Sequence, residues 1–166
     1  MAAVLGFLGK DFQLPEDRLY DGARQYWVKS EGAVAVVGVS GPGVALTAGL
    51  VDLDVFPEAG DELVIDQELA FATTKKSMKY FLSPFAGRVV EANPAATAES
   101  VNAQPYETWL VKIEPPAGWE DHLLDAPAYA KRLMTSEHAT PEAAQAATAG
   151  KSSPTCKSIY SGIKEA

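Results

Sequence analysis

Turn-forming residues recur every eight to twelve positions between Trp27 and Pro115, at Glu31-Gly32, Gly41-Pro42-Gly43, Pro57 to Asp61, Ser83-Pro84, Asn93-Pro94 and Pro115-Pro116. Each supplies a fixed φ or tolerates φ > 0, so each interrupts regular structure. The runs between them are short and rich in β-favouring residues. They predict strands at Tyr26 to Lys29, Ala33 to Val39, Leu50 to Val55, Glu68 to Thr74, Ser77 to Leu82, Gly87 to Glu91 and Thr108 to Ile113. Strands this short and closely spaced leave no room for βαβ crossovers. The fold class is therefore mainly β, a sandwich or flattened barrel.

Two stretches read as helical. Gly43 to Ala48 allows a turn or two, and Asp125 to Met134 has a capping aspartate, a proline in its first turn and basic residues near its end. After Met134 the chain turns to Ala, Thr, Ser and Pro, which predicts a flexible, low-complexity C-terminal tail over 135–166 in which only Ile159, Tyr160 and Ile163 could dock. One domain over 14–134 and an N-terminal extension over 1–13 complete the division.

Composition narrows the function classes. Fourteen Lys and Arg against twenty-two Asp and Glu give a net charge of −8, which argues against nucleic acid or an anionic membrane surface as partner. The single cysteine, Cys156, excludes an internal disulfide and a cysteine-based zinc site, and His122 and His138 are too few for a histidine-rich metal centre, so no metal site is expected. The N-terminal apolar stretch lacks a preceding basic residue and is far shorter than the ~20 residues that span a bilayer, which leaves a cytoplasmic setting as the expectation. No nucleophile–base pairing is visible, so the chain reads as a non-enzyme.

Chemistry concentrates between Leu69 and Val90. Two strand-like runs flank the turn Lys75-Lys76-Ser77, and Ser83-Pro84 with Gly87 close the second run. This segment resembles the lysine hairpin of lipoyl and biotinyl carrier domains, in which the modified lysine precedes the Ser/Ala-Pro pair by seven and eight positions and a glycine by eleven. Counting back from Ser83, Pro84 and Gly87 arrives at Lys76 each time, whereas Lys75 and Lys79 miss the register. Biotinyl domains flank their lysine with methionines. Met78-Lys79 has the wrong spacing for that pattern, so lipoate is favoured over biotin.

Further pieces are similar, in order, to the H protein of the glycine cleavage system: Leu14-Pro15-Glu16-Asp17, Tyr26-Trp27-Val28-Lys29, Val37 to Ser40, Pro57 to Leu63, Val89 to Asn93, Val101-Asn102 with Pro105-Tyr106, Trp109 to Ile113 and Leu123 to Tyr129. The resemblance covers Leu14 to Met134. It implies a barrel-sandwich hybrid with a C-terminal helix, covalent lipoyl attachment at Lys76, and service as a swinging arm shuttling a bound intermediate between partner enzymes. The partners implied are a lipoate-protein ligase or lipoyl transferase and enzymes of the glycine decarboxylase, aminomethyltransferase and dihydrolipoyl dehydrogenase type. Tethering would make each delivery effectively intramolecular, and the working sulfurs would arrive with the cofactor.

The chain departs from the family near that lysine. Thr73-Thr74-Lys75-Lys76-Ser77 stands where E-S-V-K-A is common, so a glutamate is absent and a second cation present. Gln25-Tyr26 replaces a His-Glu pair, and Ala48-Gly49-Leu50 replaces a G-D-I/L pattern. These differences open an alternative, an H-like lipoate-binding protein of sulfur oxidation working with a heterodisulfide-reductase-like complex. A biotin carrier and an unmodified partner-binding domain remain further alternatives. Trp27, Trp109, Phe56, Phe71 and Phe81 read as core, Trp119 and Tyr129 as helix-packing, and Asp61-Glu62 with Asp66 to Glu68 as an acidic edge able to meet basic partners.

Overall fold

The structure is a computed structural model describing residues 1–141; the expectations that fall on 142–166, including Cys156 and the docking of Ile159, Tyr160 and Ile163, lie outside the described residues. The chain forms β1 (Ala2–Phe7), β2 (Lys10–Leu14), β3 (Leu19–Asp21), β4 (Tyr26–Glu31), β5 (Val34–Val39), α1 (Gly41–Leu46), β6 (Leu50–Val55), β7 (Glu62–Leu63), β8 (Glu68–Thr74), β9 (Met78–Leu82), β10 (Gly87–Ala92), α2 (Ala98–Ala103), β11 (Val111–Glu114) and α3 (Ala126–Met134). All seven expected strands are present, β6 and β8 with the expected ends. The turn punctuation thus located the β framework. The last strand starts three residues later than expected, at Val111, because Thr108 N–H still bonds back to the Gln104 carbonyl at 3.1 Å.

A six-stranded antiparallel sheet runs in the order β3-β4-β5-β11-β10-β7, and a three-stranded sheet in the order β6-β8-β9. The sheets do not join into a closed barrel. They share one core, in which Val28, Val37, Val39 and Ile113 of the larger sheet cluster with Leu69, Ala72 and Phe81 of the smaller. Alternation along each strand is what brings these side chains to a common interior, and burying each large one contributes about 1.5–3 kcal/mol. Trp27 pairs with Gly38 across β4 and β5, and its indole fills the space a side chain there would need.

The expected core list is corrected at three aromatics. Phe56 is 42% exposed and Phe71 half-buried, because they pack against exposed Tyr80, with ring centroids 6.5 and 4.8 Å away, on the outer side of the small sheet. Trp119 meets Phe85 edge-on at 5.5 Å and belongs to the main core cluster instead of packing a helix. Tyr129 does pack α3, stacking on Tyr20 at 4.8 Å.

A second cluster joins the N-terminal hairpin to α3. Val4, Phe7 and Leu14 pack with Tyr20, Trp27, Tyr129 and Leu133. The Asp125 carboxylate caps α3 by accepting the Ala128 N–H at 2.9 Å, as its sequence implied. The β1–β2 hairpin was not legible because its two-residue turn is Leu8-Gly9, with φ of 53° and 74°. Leu8 takes a conformation usually left to Asn, Asp or Gly. The Leu8 N–H bonds to the His138 carbonyl at 2.9 Å, and the Thr140 N–H to the Gly6 carbonyl at 2.9 Å, so the chain after α3 holds this turn in place.

Candidate functional site

Lys75 and Lys76 form the two-residue apex between β8 and β9, just beyond the last paired residues, Thr73 and Met78. The Thr74 N–H bonds to the Ser77 carbonyl at 2.7 Å. The return bond of an ordinary hairpin is replaced by a side chain. Thr74 Oγ1 accepts the N–H groups of Ser77 at 2.9 Å and Lys76 at 3.2 Å, and donates to the Ser77 carbonyl at 3.0 Å. Thr74 is buried, so one hydroxyl fixes the backbone under an apex whose two lysines are exposed.

The residues that set the register are structural. Ser83 is fully buried; its Oγ donates to the Phe85 carbonyl at 2.7 Å, and its N–H and carbonyl bond to Gln67 and Asp66. Gly87 has φ of +154°, and a Cβ there would lie 2.3 Å from the Glu114 carbonyl oxygen. Only glycine lets β10 approach β11 so closely at this point. The spacing from Lys76 to Ser83, Pro84 and Gly87 is therefore the length of β9 plus the corner that carries the chain into the large sheet.

The apex leans on the loop after α1. The Lys75 N–H bonds to the Gly49 carbonyl at 3.1 Å, and the aliphatic part of Lys75 passes Gly49. The same loop is held from below by Asn102 of α2, whose amide accepts from Leu50 N–H at 2.9 Å and donates to its carbonyl at 2.8 Å. Helix α1 lies at 41–46, not at 43–48 as expected, because Ser40 Oγ caps it through the Gly43 N–H at 3.1 Å and also meets Tyr129 Oη at 2.8 Å.

The two lysines diverge. Lys76 borders a shallow depression of about 270 Å³ with Leu46, Thr47 and Met78. Among the described residues nothing bonds or ion-pairs with its Nζ, whereas Lys79 Nζ lies 5.4 Å from the Phe81 ring. Lys75 borders a cleft of about 610 Å³ walled by β2 (Phe12), α1 (Val44) and the segment after α2 (Pro105, Tyr106). A group attached to Lys76 Nζ would meet no steric or hydrogen-bonding competitor, so the exposed amine on a clamped turn fits covalent loading.

Electrostatics elsewhere in the site are structural. The Gln25 carboxamide accepts from the Tyr129 hydroxyl and donates to the Gly22 carbonyl, so it holds α3 against the β3–β4 turn. Arg24 bridges buried Asp21 and exposed Asp66 at 2.8 Å each, which ties one carboxylate of the expected acidic edge to the fold. Burial pushes the phenols of Tyr20, Tyr26 and Tyr129 up, and that of Tyr106 up to about 12. Sequence reasoning missed Thr74, Gly49 and the β2 wall of the cleft. A threonine directly before the two-residue apex was the one local signal available.

A lysine presented at the tip of a clamped hairpin on a barrel-sandwich hybrid, backed by a C-terminal helix, defines the class of lipoyl- and biotinyl-type carrier domains. The chain belongs to the glycine cleavage H-protein family, whose model matches residues 18–140. It is 32% identical over 124 residues to the glycine cleavage system H protein of Paraburkholderia phytofirmans, covering 72% of this chain and 97% of that protein. Against the H protein of Beutenbergia cavernae the identity is 36% over 120 residues, covering 70% and 94%. The crystal structure of a glycine cleavage system H protein from Mycobacterium marinum superposes with a TM-score of 0.61 at 26% identity, covering 72% of this chain and 98% of that one.

Proposed function

We propose that this chain is a lipoyl carrier whose Lys76 holds lipoate in amide linkage and moves it between partner enzymes. The observation that carries the reading is the Thr74-clamped apex, with an exposed and unpaired Lys76 in the register set by Ser83, Pro84 and Gly87. When bound, the lipoyl group would supply disulfide–dithiol chemistry. The chain itself contributes a rigid mount, since paired β8 and β9 fix the Lys76 Cα while the side chain stays free, and this converts delivery into a high-effective-concentration encounter. Loading requires a lipoate-protein ligase or lipoyl transferase. The reading places the protein in the cytoplasm as a carrier in a multi-enzyme system; among the described residues no helix is long and apolar enough to cross a membrane.

The partners that the family supports are enzymes of the glycine decarboxylase, aminomethyltransferase and dihydrolipoyl dehydrogenase type. A second reading, service to a heterodisulfide-reductase-like complex in sulfur oxidation, is favoured by Lys75 in the cleft beside the apex and by Gln25 being engaged with Tyr129 and Gly22.

Expression in a lipoate-competent host should give one lipoyl adduct by intact mass. Peptide mapping should place it on Lys76, Lys76→Arg should abolish it, and Lys75→Arg and Lys79→Arg should retain it. A biotin-sized adduct, or an adduct that survives Lys76→Arg, would refute this assignment. Incubating the lipoylated chain with labelled glycine and an active glycine decarboxylase component then separates the pathways. Label on the chain supports glycine cleavage, and its absence supports the specialised role.

A further inference from the structure

The carrier reading leaves Lys75 and its cleft unused. The cleft opens beside the Lys76 anchor, since adjacent Cα atoms lie ~3.8 Å apart across a trans peptide. Its wall from β2, including Lys10, Asp11 and Phe12, lies before residue 18, where the family match begins. The shared family fold therefore does not account for it. In a chain of net charge −8, this cleft has a local excess of positive charge: Lys10 and Lys75 are its cations and Asp11 its one carboxylate. Asp11 Oδ1 is already engaged, accepting the Gly6 N–H at 3.1 Å.

Tyr106 adds a donor. Its Oη accepts the Gly41 N–H at 2.9 Å, and among the described residues no acceptor takes its own proton. Burial raises that phenol to about 12, so it keeps its proton at neutral pH. Two ammonium groups and a free O–H, set beside Phe12, Val44 and Pro105, suit an anionic head on an apolar stem. A cationic head would find one carboxylate and two like charges.

We propose that this cleft is a resting site for an anionic group, of carboxylate or sulfonate type, borne at the end of the arm on Lys76, with Lys75 and Lys10 setting the charge preference and Tyr106 donating a hydrogen bond. The inference rests on Lys76 being the loaded lysine.

The test uses the full chain carrying Cys156→Ser, lipoylated, checked by intact mass, and reduced. The arm thiols are capped with iodoacetate, iodoacetamide or 2-bromoethylamine, which leave negative, neutral or positive ends of similar length. Amide chemical shifts of Gly41, Gly49 and Lys75 are then compared. The carboxymethyl form is expected to shift all three relative to the neutral form and the aminoethyl form to leave them unmoved. Lys75→Gln and Lys10→Gln should each cut the shift by a factor of roughly 2, as expected of an exposed charge pair, and about 0.5 M NaCl should do the same by screening. Tyr106→Phe should weaken the shift without removing its charge preference.

Equal shifts from the three caps, or larger ones from the aminoethyl form, overturn the proposal. So does an unchanged cleft spectrum in every form, as expected if residues 142–166 already fill it. If the mass shows no lipoyl adduct, the carrier reading fails first. Titrating S-carboxymethylated dihydrolipoamide against its aminoethyl counterpart on the unmodified chain then decides the charge preference of the cleft alone.

Discussion

At the scale of single residues, the site is held by groups that carry no reactivity. Thr74 contributes one hydroxyl and three hydrogen bonds to the apex. Thr74→Val keeps the shape and removes all three. It should cost about 1–2 kcal/mol locally and speed amide exchange at Lys76 and Ser77 by roughly tenfold, with circular dichroism unchanged. Exchange rates matching the parent protein would show that the backbone alone holds the turn. Gly38 and Gly87 make a complementary point about space. A Cβ on Gly38 would sit 2.4 Å from the Trp27 ring, and one on Gly87 would strike a backbone oxygen. Trp27 can shift only by giving up its Nε1 hydrogen bond to the Pro105 carbonyl at 2.8 Å, so Gly38→Ala should lower the urea midpoint by the equivalent of about 1–3 kcal/mol. Lys76, Ser83, Pro84 and Gly87 were legible because their spacing is a strand length. Thr74 was not, because a β-branched residue at a strand end reads equally well as a strand former.

At the scale of elements, legibility followed how strongly each element announces its own ends. Strands β6 and β8 lie between turn residues and buried alternating positions, so their bounds could be read directly. Helix α3 carries its cap, its first-turn proline and its basic end in nine residues. Helix α2 was missed. Its capping box uses Thr97 with Ser100 in place of the usual glutamate, and six residues are too few for a periodic signal. Helix α1 draws its cap, Ser40, from a residue that also bonds Tyr129 of α3. Ser40→Ala should therefore lose more than an ordinary cap, about 1–2 kcal/mol, and loosen both helices at once. A difference spectrum confined to 41–46 would limit the residue to capping.

At the scale of the whole molecule, four buried phenols lie along or beside the contact between the large sheet, α1 and α3. Tyr20, Tyr26, Tyr106 and Tyr129 are all held protonated by burial. Each has a folded pKa above the ordinary tyrosine value of about 10, so its contribution to stability is complete below pH ~10. Above that pH the unfolded chain loses these protons while the folded chain keeps them. Stability should then fall by up to roughly 1.4 kcal/mol per pH unit for each phenol, continuing for Tyr106 until pH about 12. Urea midpoints between pH 9 and 12, read beside phenolate absorbance, would check this. Absorbance rising ahead of unfolding would contradict it.

The amino-acid sequence by itself determined the β framework, the lysine and its register, because turn chemistry, alternation and the length of a strand act over a few neighbouring residues. It also fixed the departure that matters most, a second lysine beside the first. What only the tertiary structure decided is where those two lysines face. The N-terminal hairpin, held by α3 and by residues 138–140, forms a wall opposite α1 and the segment after α2, and so gives Lys75 a cleft. That enclosure depends on contacts between residues far apart in the chain, and no local pattern encodes which side of a hairpin apex such a wall will stand on.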